Sequence, residues 1–204
     1  MKPIQFHTHI SDSMPRMQYE EKRDGSRNNH HNGQRKLLIS EINFLLDWFT
    51  SPLKDMHRPT LIVYAGAAGG RHLEDLCAYF GMENCSWMLY DKSSFVCWNY
   101  KRQPDNVQKI HRFFDIAEAK QICKCNDTHD ILFISDIRLG LPNFSMHVQG
   151  QKEADDIRVE NEILADMESQ QTWIFEMQCK RAMLKFRLPY QYNYTSYVNV
   201  TEFE

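Results

Sequence analysis

Three charged residues carry the strongest sign of chemistry in this sequence. Lys185 stands in the apolar stretch MLKFRL (183–188), where an isolated cation is costly unless it is paired or functional. Asp136 ends an apolar run, and Lys36 stands near the start of a helical pattern. A hydroxyl group is a poor nucleophile, so its attack on an electrophile gains from a positioned base. One lysine as base, a second cation lowering its pKa and a carboxylate orienting it would suit such a transfer.

A glycine-rich turn predicts a site for a bound nucleoside group. Gly66, Gly69 and Gly70 follow the apolar run Thr60–Tyr64 and allow a sharp turn that approaches a ligand closely. The turn lacks the full G-x-G-x-x-G pattern of dinucleotide binders. Asp91 ends the next apolar run, about 20 residues further on, where a carboxylate can accept hydrogen bonds from the ribose of an adenosyl group. A turn or helix-cap role is the alternative for both Asp91 and Asp136.

The surrounding pattern predicts an α/β fold. Short apolar runs alternate with helical periodicity, which is typical of a mostly parallel sheet with helices on both faces. The predicted strands are 60–64, 87–90, 130–135 and, by alternation, 182–189; the predicted helices are 34–49 and a segment within 157–182 patterned by Leu164, Met167, Gln171, Ile174 and Met177. Strand, glycine turn and helix form the first half of a Rossmann-type unit.

Length and composition indicate one domain without a membrane span. The chain has 204 residues, a net charge of -3 and 42% hydrophobic residues. No run approaches the roughly 18 apolar residues of a membrane span, and no signal peptide is evident. The six cysteines are expected to be reduced, and the C-x-C pair at 123 and 125 does not have a usual zinc spacing, so no metal is expected. We expect residues 1–33 to form a partly disordered N-terminal arm and residues 34–204 to form the folded domain.

Six segments, in order, resemble the poxvirus-type cap-specific mRNA 2′-O-methyltransferase and poly(A) polymerase regulatory subunit family. They are GQRKLL (33–38), VYAGAAGG (63–70) with His72, WMLYD (87–91), RFFD (112–115), ILFISDIR (131–138) and LKFRLP (184–189). The resemblance implies a Rossmann-like methyltransferase fold, S-adenosylmethionine as cofactor and capped mRNA as substrate. It also implies a poly(A) polymerase catalytic subunit as partner, and action in the host cytoplasm or virion.

The resemblance also implies roles for individual residues. The first three members of the family's Lys-Asp-Lys-Glu catalytic set fall on Lys36, Asp136 and Lys185. Its cofactor contacts fall on Gln34, Tyr64, Gly66, Gly70, His72, Asp91, Phe113 and Ile137. The family stacks the methylated cap guanine between two aromatic rings, for which Tyr190 and Tyr19 are the candidates; ring quadrupoles attract such a cationic base.

Two departures from the family keep other functions open. No residue up to Glu204 is matched with the family's fourth catalytic residue, and Ser93 stands where the family has an arginine. We therefore expect a shortened relative, a C-terminally truncated methyltransferase domain or a member that has lost part of its site. One alternative is a non-catalytic RNA-binding or polymerase-associated subunit that retains the fold. Another is a methyltransferase for a different substrate, such as rRNA, because the fold alone does not fix the substrate.

Overall fold

The computed structural model describes residues 30–69, 71–81, 84–95, 105–137 and 152–186, with only the backbone described for 30–32, 71 and 152–157. Nine helices and strands and a short 3-10 helix alternate along these residues. The strands are β1 (Thr60–Ala65), β2 (Cys85–Tyr90), β3 (Val107–Ile110), β4 (Asp130–Ser135) and β5 (Arg181–Met183). The helices are α1 (His30–Phe49), α2 (Arg71–Tyr79), α3 (Ile116–Cys123), the 3-10 helix Lys124–Asp127 and α4 (Lys152–Met177).

The five strands form one parallel sheet in the order β3-β2-β1-β4-β5. β1 lies at its centre, with Ala65 in register with Tyr90 of β2 on one side and with Ser135 of β4 on the other. All six residues of β1 and of β4 are buried, which explains their continuous apolar sequences. The predicted α/β architecture is confirmed. The chain reverses its direction of travel across the sheet between β1 and β4, and open α/β sheets bind ligands at such a point.

The helices cover both faces of the sheet, as predicted. Alternate residues of the central strands point to opposite faces. Ile62 and Tyr64 of β1 join the cluster formed with α1 and α2, which includes Leu45 and Leu73. Leu61, Val63 and Ala65 of β1 join the cluster formed with α3 and α4, which includes Ala119 and Met177. Because helices anchor both faces, the carboxyl edge of the sheet is held rigidly.

Two predicted boundaries near the site are wrong. α1 begins at His30 rather than at Gln34, so 30–33 continue the helix despite their loop-like composition. β5 ends at Met183 rather than near Pro189. The peptide groups of Lys185 bond to the Gln170 side chain of α4 and not to β4, which draws the chain out of the sheet. Lys185 therefore lies just beyond the end of a strand and not within one.

The buried stripe of α4 also differs from the predicted one. Leu164 is 42% exposed and Gln171 is half-buried, whereas Gln170 is 1% exposed. Met167 and Met177 are buried as the periodicity predicts. The stripe contains polar side chains because it faces the functional cleft as well as the apolar core.

Candidate functional site

A cleft of about 420 Å³ opens at the carboxyl ends of β1, β2 and β4. The glycine turn, the segments following β2, β3 and β4, and one face of α4 form its walls. The lining residues are Gly66, Ala68, Tyr90, Asp91, Lys92, Ser93, Phe113, Phe114, Asp136, Ile137, Asp166, Ser169 and Trp173. Its volume lies within the range of sites for small ligands and cofactors.

Gly66 brings the turn against the end of β4. Its φ is +84°, a conformation that L side chains rarely adopt, and its N–H donates to the Tyr90 carbonyl at 2.9 Å. A Cβ at this position would lie 2.8 Å from the backbone carbon of Asp136. The space that glycine leaves open thus allows β1 and β4 to approach each other at the cleft floor.

Asp91 joins the glycine turn to the segment after β2. One carboxylate oxygen accepts from the Ala68 N–H at 3.0 Å and the other from the Ser93 N–H at 2.7 Å. Each oxygen has a further lone pair, so the carboxylate can also accept hydrogen bonds from a ligand in the cleft. These two backbone hydrogen bonds fix the orientation of the carboxylate in the cleft wall.

An aromatic ring and a cation stand together on the wall formed after β2 and β3. Phe113 is 54% exposed, and the Lys92 ammonium lies 4.9 Å from its ring centroid. Behind it, Phe114 packs edge-on against Trp173 at 5.1 Å. An exposed ring on a packed aromatic base offers a flat apolar surface to a planar heterocycle.

Asp136 and Lys185 form an ion pair at the rim of this cleft. Their side chains are 21% and 28% exposed, so the pair is partly buried. A second cleft, of about 470 Å³, begins on the α1 side of the same pair. It is lined by Gly33, Gln34, Leu37, Ser40, Ser135, Asp136, Met183, Leu184 and Lys185. Asp136 therefore lines both ligand-sized spaces, and Lys185 lines the second of them.

Lys36 is not brought to this pair. Its side chain is exposed, lines neither cleft, and has no hydrogen bond or ion pair with another described residue. The helix instead turns its neighbour Gln34 into the second cleft. Of the two groups expected beside Lys185, the carboxylate of Asp136 is in contact with it in the described residues, whereas Lys36 lies apart from the pair.

Tyr64 and His72 meet beneath the glycine turn rather than in the cleft. The Tyr64 hydroxyl donates to Glu41 Oε1 at 2.6 Å, and His72 Nε2 lies 3.1 Å from Glu41 Oε2. Glu41 is fully buried, and burial followed by the nearby Glu41 charge raises the pKa of Tyr64 well above its usual value. This cluster joins α1, β1 and α2. Sequence reasoning missed Glu41, although a glutamate on an apolar helix face is itself a signal of a buried partner.

The other residues predicted for the site lie in the first cleft, in the second cleft or outside the described residues. Of the cofactor set, Gly66, Asp91, Phe113 and Ile137 line the first cleft, and Gln34 lines the second. Gly70, Tyr19 and Tyr190 lie outside the described residues, and their roles stay predictions. Asp166, Ser169 and Trp173 line the first cleft but were not predicted, because a helical pattern does not show which loop its polar residues face.

The described residues hold neither a metal-binding cluster nor a helix suited to span a membrane. They contain no group of three metal-ligating side chains, so the fold brings no further ligands to the cysteine pair at 123 and 125. Within the same ranges no helix combines the length and hydropathy needed to cross a bilayer.

The chain is similar to proteins of one known family. The family model described as "Poly A polymerase regulatory subunit" matches residues 1–202. The "Cap-specific mRNA (nucleoside-2'-O-)-methyltransferase" of fowlpox virus (strain NVSL) is 33% identical over 114 residues, which cover 52% of this chain. The match covers 34% of that relative, so the chain corresponds to about a third of its length.

Proposed function

The chain belongs to the poly(A) polymerase regulatory subunit family, and from this premise we propose that it methylates a ribose 2′-hydroxyl of capped mRNA with S-adenosylmethionine. The observation that carries the proposal is the Asp136–Lys185 pair between two clefts. Methyl transfer needs a donor on one side of such a pair and an acceptor hydroxyl on the other. The proposed setting is viral, with action in the host cytoplasm or the virion.

The residues of the first cleft fit S-adenosylmethionine. Gly66 forms part of the cleft wall where the turn packs against the end of β4, Asp91 offers carboxylate oxygens to the ribose, and Phe113 offers a ring face to the adenine. Ile137 adds an apolar contact at the end of β4. When bound, the cofactor supplies a methyl group made electrophilic by its sulfonium sulfur.

Lys185 and Asp136 then act on the acceptor hydroxyl. In its neutral form, Lys185 Nζ would take the proton of the acceptor hydroxyl while that oxygen receives the methyl group that the bound cofactor would supply. Asp136 orients the amine through their contact, and Gln34 lines the acceptor side. Lys36, which is exposed near the start of α1, is proposed as the third member of the catalytic set with Asp136 and Lys185. It would contribute through contact with the bound RNA. General-base assistance of this kind is worth about 100- to 10,000-fold in rate.

A methyl-transfer assay tests the proposal. We expect the chain to move a labelled methyl group from S-adenosylmethionine to the 2′-oxygen of a short capped RNA. Lys185→Met should lower turnover 100- to 10,000-fold while leaving cofactor affinity unchanged. Lys180→Met, an exposed lysine five residues earlier, is the matched control and should leave turnover unchanged. Transfer that is equally fast in Lys185→Met would refute the base assignment.

The proposed cap site has its own readout. Tyr190 and Tyr19 are proposed to stack on the methylated guanine, whose positive charge strengthens the contact. Fluorescence titration should give tighter binding to a methylated than to an unmethylated cap, and Tyr190→Ala should remove the difference. Equal affinities for the two caps would exclude this site and favour a substrate without a cap.

The family description itself favours a second candidate function. A regulatory subunit can retain the fold and the RNA contacts without transferring a methyl group, and act by binding the catalytic subunit of a poly(A) polymerase. This candidate predicts that the wild-type chain binds S-adenosylmethionine and capped RNA but yields no methylated product. Measuring binding and transfer on the same preparation separates the two functions.

A further inference from the structure

The side chain of Gln170, in α4, makes two hydrogen bonds to the backbone of Lys185. The Lys185 N–H donates to Gln170 Oε1 at 3.0 Å, and Gln170 Nε2 donates to the Lys185 carbonyl at 3.2 Å. The second hydrogen of the same amide is satisfied by the Asp166 carbonyl, at 3.2 Å within the helix. A side chain that is 1% exposed thus has every group paired, two of its three bonds being to one residue.

These two hydrogen bonds take the place of strand pairing beyond the end of β5. β5 pairs with β4 only as far as Met183, which lies in register with Ile134. Beyond that position β4 no longer supplies partners to the chain. The amide of Gln170 presents one donor and one acceptor side by side, as a neighbouring strand would. It therefore fixes the backbone two residues past the strand, where Lys185 leaves the sheet edge.

The position of Lys185 is thus held at both ends. Gln170 holds its peptide groups, and the carboxylate of Asp136 contacts its ammonium. A long lysine side chain has four rotatable bonds, so a shift of its backbone would move Nζ away from the junction of the two clefts. Errors of about 1 Å in the placement of a reacting group can cost about 100-fold in rate.

We propose that Gln170 is a positioning residue for methyl transfer, acting through the backbone of Lys185. The proposal rests on the proposed function and extends it, because it assigns a part in the reaction to a helix residue that touches neither ligand. Loss of the two hydrogen bonds should lower kcat. It should leave the KM for S-adenosylmethionine unchanged, because Gln170 does not line the first cleft.

Two substitutions and one matched control test this role. Gln170→Met keeps the length of the side chain and removes all three bonds, and should lower kcat about 10- to 100-fold. Gln170→Glu keeps the acceptor for the Lys185 N–H but turns a carboxylate oxygen toward the Lys185 and Asp166 carbonyls, so its kcat should fall as well; it serves as the second variant if Gln170→Met does not fold. Gln171→Met changes the same residue type one position along the helix, where the side chain is half-buried, and should behave as wild type.

A double-mutant cycle distinguishes positioning from general stability. In a Lys185→Met background, Gln170→Met should change the residual rate less than about 2-fold, because its effect passes through the lysine. A purely structural residue would lower the rate by the same factor in both backgrounds. Hydrogen exchange adds a readout that needs no activity: Gln170→Met should remove protection of the Lys185 amide while the amides of β4 stay protected.

The outcomes separate this inference from the proposed function. An active wild type with unchanged kcat in Gln170→Met would overturn the inference alone, as would equal effects in both backgrounds of the cycle. A wild type that binds both ligands without transfer would overturn the proposed function and, with it, the role of Gln170. Lower kcat with unchanged KM, loss of the effect in Lys185→Met and local loss of amide protection would together support both.

Discussion

Single carboxylates define the geometry of both clefts and of the support beneath them. Asp91 is held by two backbone N–H groups, Asp136 by the ammonium of Lys185, and Glu41 by a phenol and an imidazole. In each case an acidic side chain joins segments that are far apart in sequence. Removal of one such group therefore affects ligand contact and local structure together, and each test needs a control that separates the two.

Asp91→Ala should weaken the binding of S-adenosylmethionine. The loss of acceptors for ribose hydroxyls is worth about 1–3 kcal/mol, so Kd should rise about 5- to 100-fold in calorimetric titration. Asp75→Ala, an exposed aspartate on α2, is the control and should bind as wild type. Unchanged affinity in a folded Asp91→Ala variant would remove Asp91 from the cofactor site.

Glu41→Ala should destabilise the fold strongly. The change leaves the Tyr64 hydroxyl and His72 Nε2 without their partner, and each unpaired buried group costs about 1–3 kcal/mol. We expect the free energy of unfolding to fall by about 3 kcal/mol or more in urea titration. Glu176→Gln is the control: its pair with Lys120 at 3.8 Å is at the surface, where ion pairs contribute about 0–1 kcal/mol. Similar losses in the two variants would contradict a supporting role for Glu41.

At the scale of secondary-structure elements, the turn between β1 and α2 is the most constrained. Gly66→Ala should destabilise the protein and weaken cofactor binding, because its Cβ would meet the Asp136 backbone at 2.8 Å. Gly69→Ala is a matched control, with a φ of +74° but no atom within 4 Å of the added Cβ. That variant should show only backbone strain of about 1–2 kcal/mol. Equal thermal midpoints and equal cofactor affinities for the two variants would show that close packing at Gly66 is unimportant.

The sequence predicted best the bounds of those elements whose residue pattern is determined by burial alone. β4 was predicted at its observed bounds and β1 within one residue, because strands buried on both faces are continuous apolar runs. The same runs located Gly66, Asp91 and Asp136, since residues that follow parallel strands meet at one edge of the sheet. β3 was missed because VQKI is short and half polar, and its outer position demands little burial.

Contacts between different helices and strands could not be predicted from the hydrophobic pattern of the sequence. β5 was predicted too long because alternation continues past Met183, while the Gln170 side chain draws the chain away. The periodicity of α4 pointed to Gln171, yet Gln170 is the buried residue. Lys36 was matched to the site by resemblance, and its role stays a prediction; of the two residues, Gln34 is the one that lines the second cleft. Each of these contacts depends on how a helix is rotated about its axis, which its own sequence does not determine.

At the scale of the whole molecule, buried cysteine thiols and a buried tyrosine hydroxyl predict a loss of stability at alkaline pH. Burial raises the pKa of Cys85 and of Cys179 from 9.0 to about 12, and raises the pKa of Tyr90 above its usual value. Above about pH 9 the unfolded chain releases thiol protons that the folded chain retains. The stabilisation is therefore complete below pH 9 and is lost between pH 9 and 12, by up to about 1.4 kcal/mol per pH unit for each thiol.

Urea unfolding between pH 7 and pH 11 measures this loss. Cys85→Ala should show a shallower fall above pH 9 than the wild type, because one of the buried thiols is gone. Cys123→Ala, at a half-buried position, is the control and should keep the wild-type slope. The same slope in all three proteins would mean that buried thiols do not govern the alkaline transition.

The central position of β1 also orders the events of folding. Its pairing with β2 joins nearby segments, whereas Thr60 pairs with Asp130 only after a loop of about 70 residues has closed. Both clefts use residues at the end of β4, so neither exists until this slowest pairing is complete. A ligand of the first cleft therefore binds only chains that have passed that step, and by mass action it holds them there. Under the proposed function, the supply of S-adenosylmethionine would therefore help to determine how much of the protein stays folded.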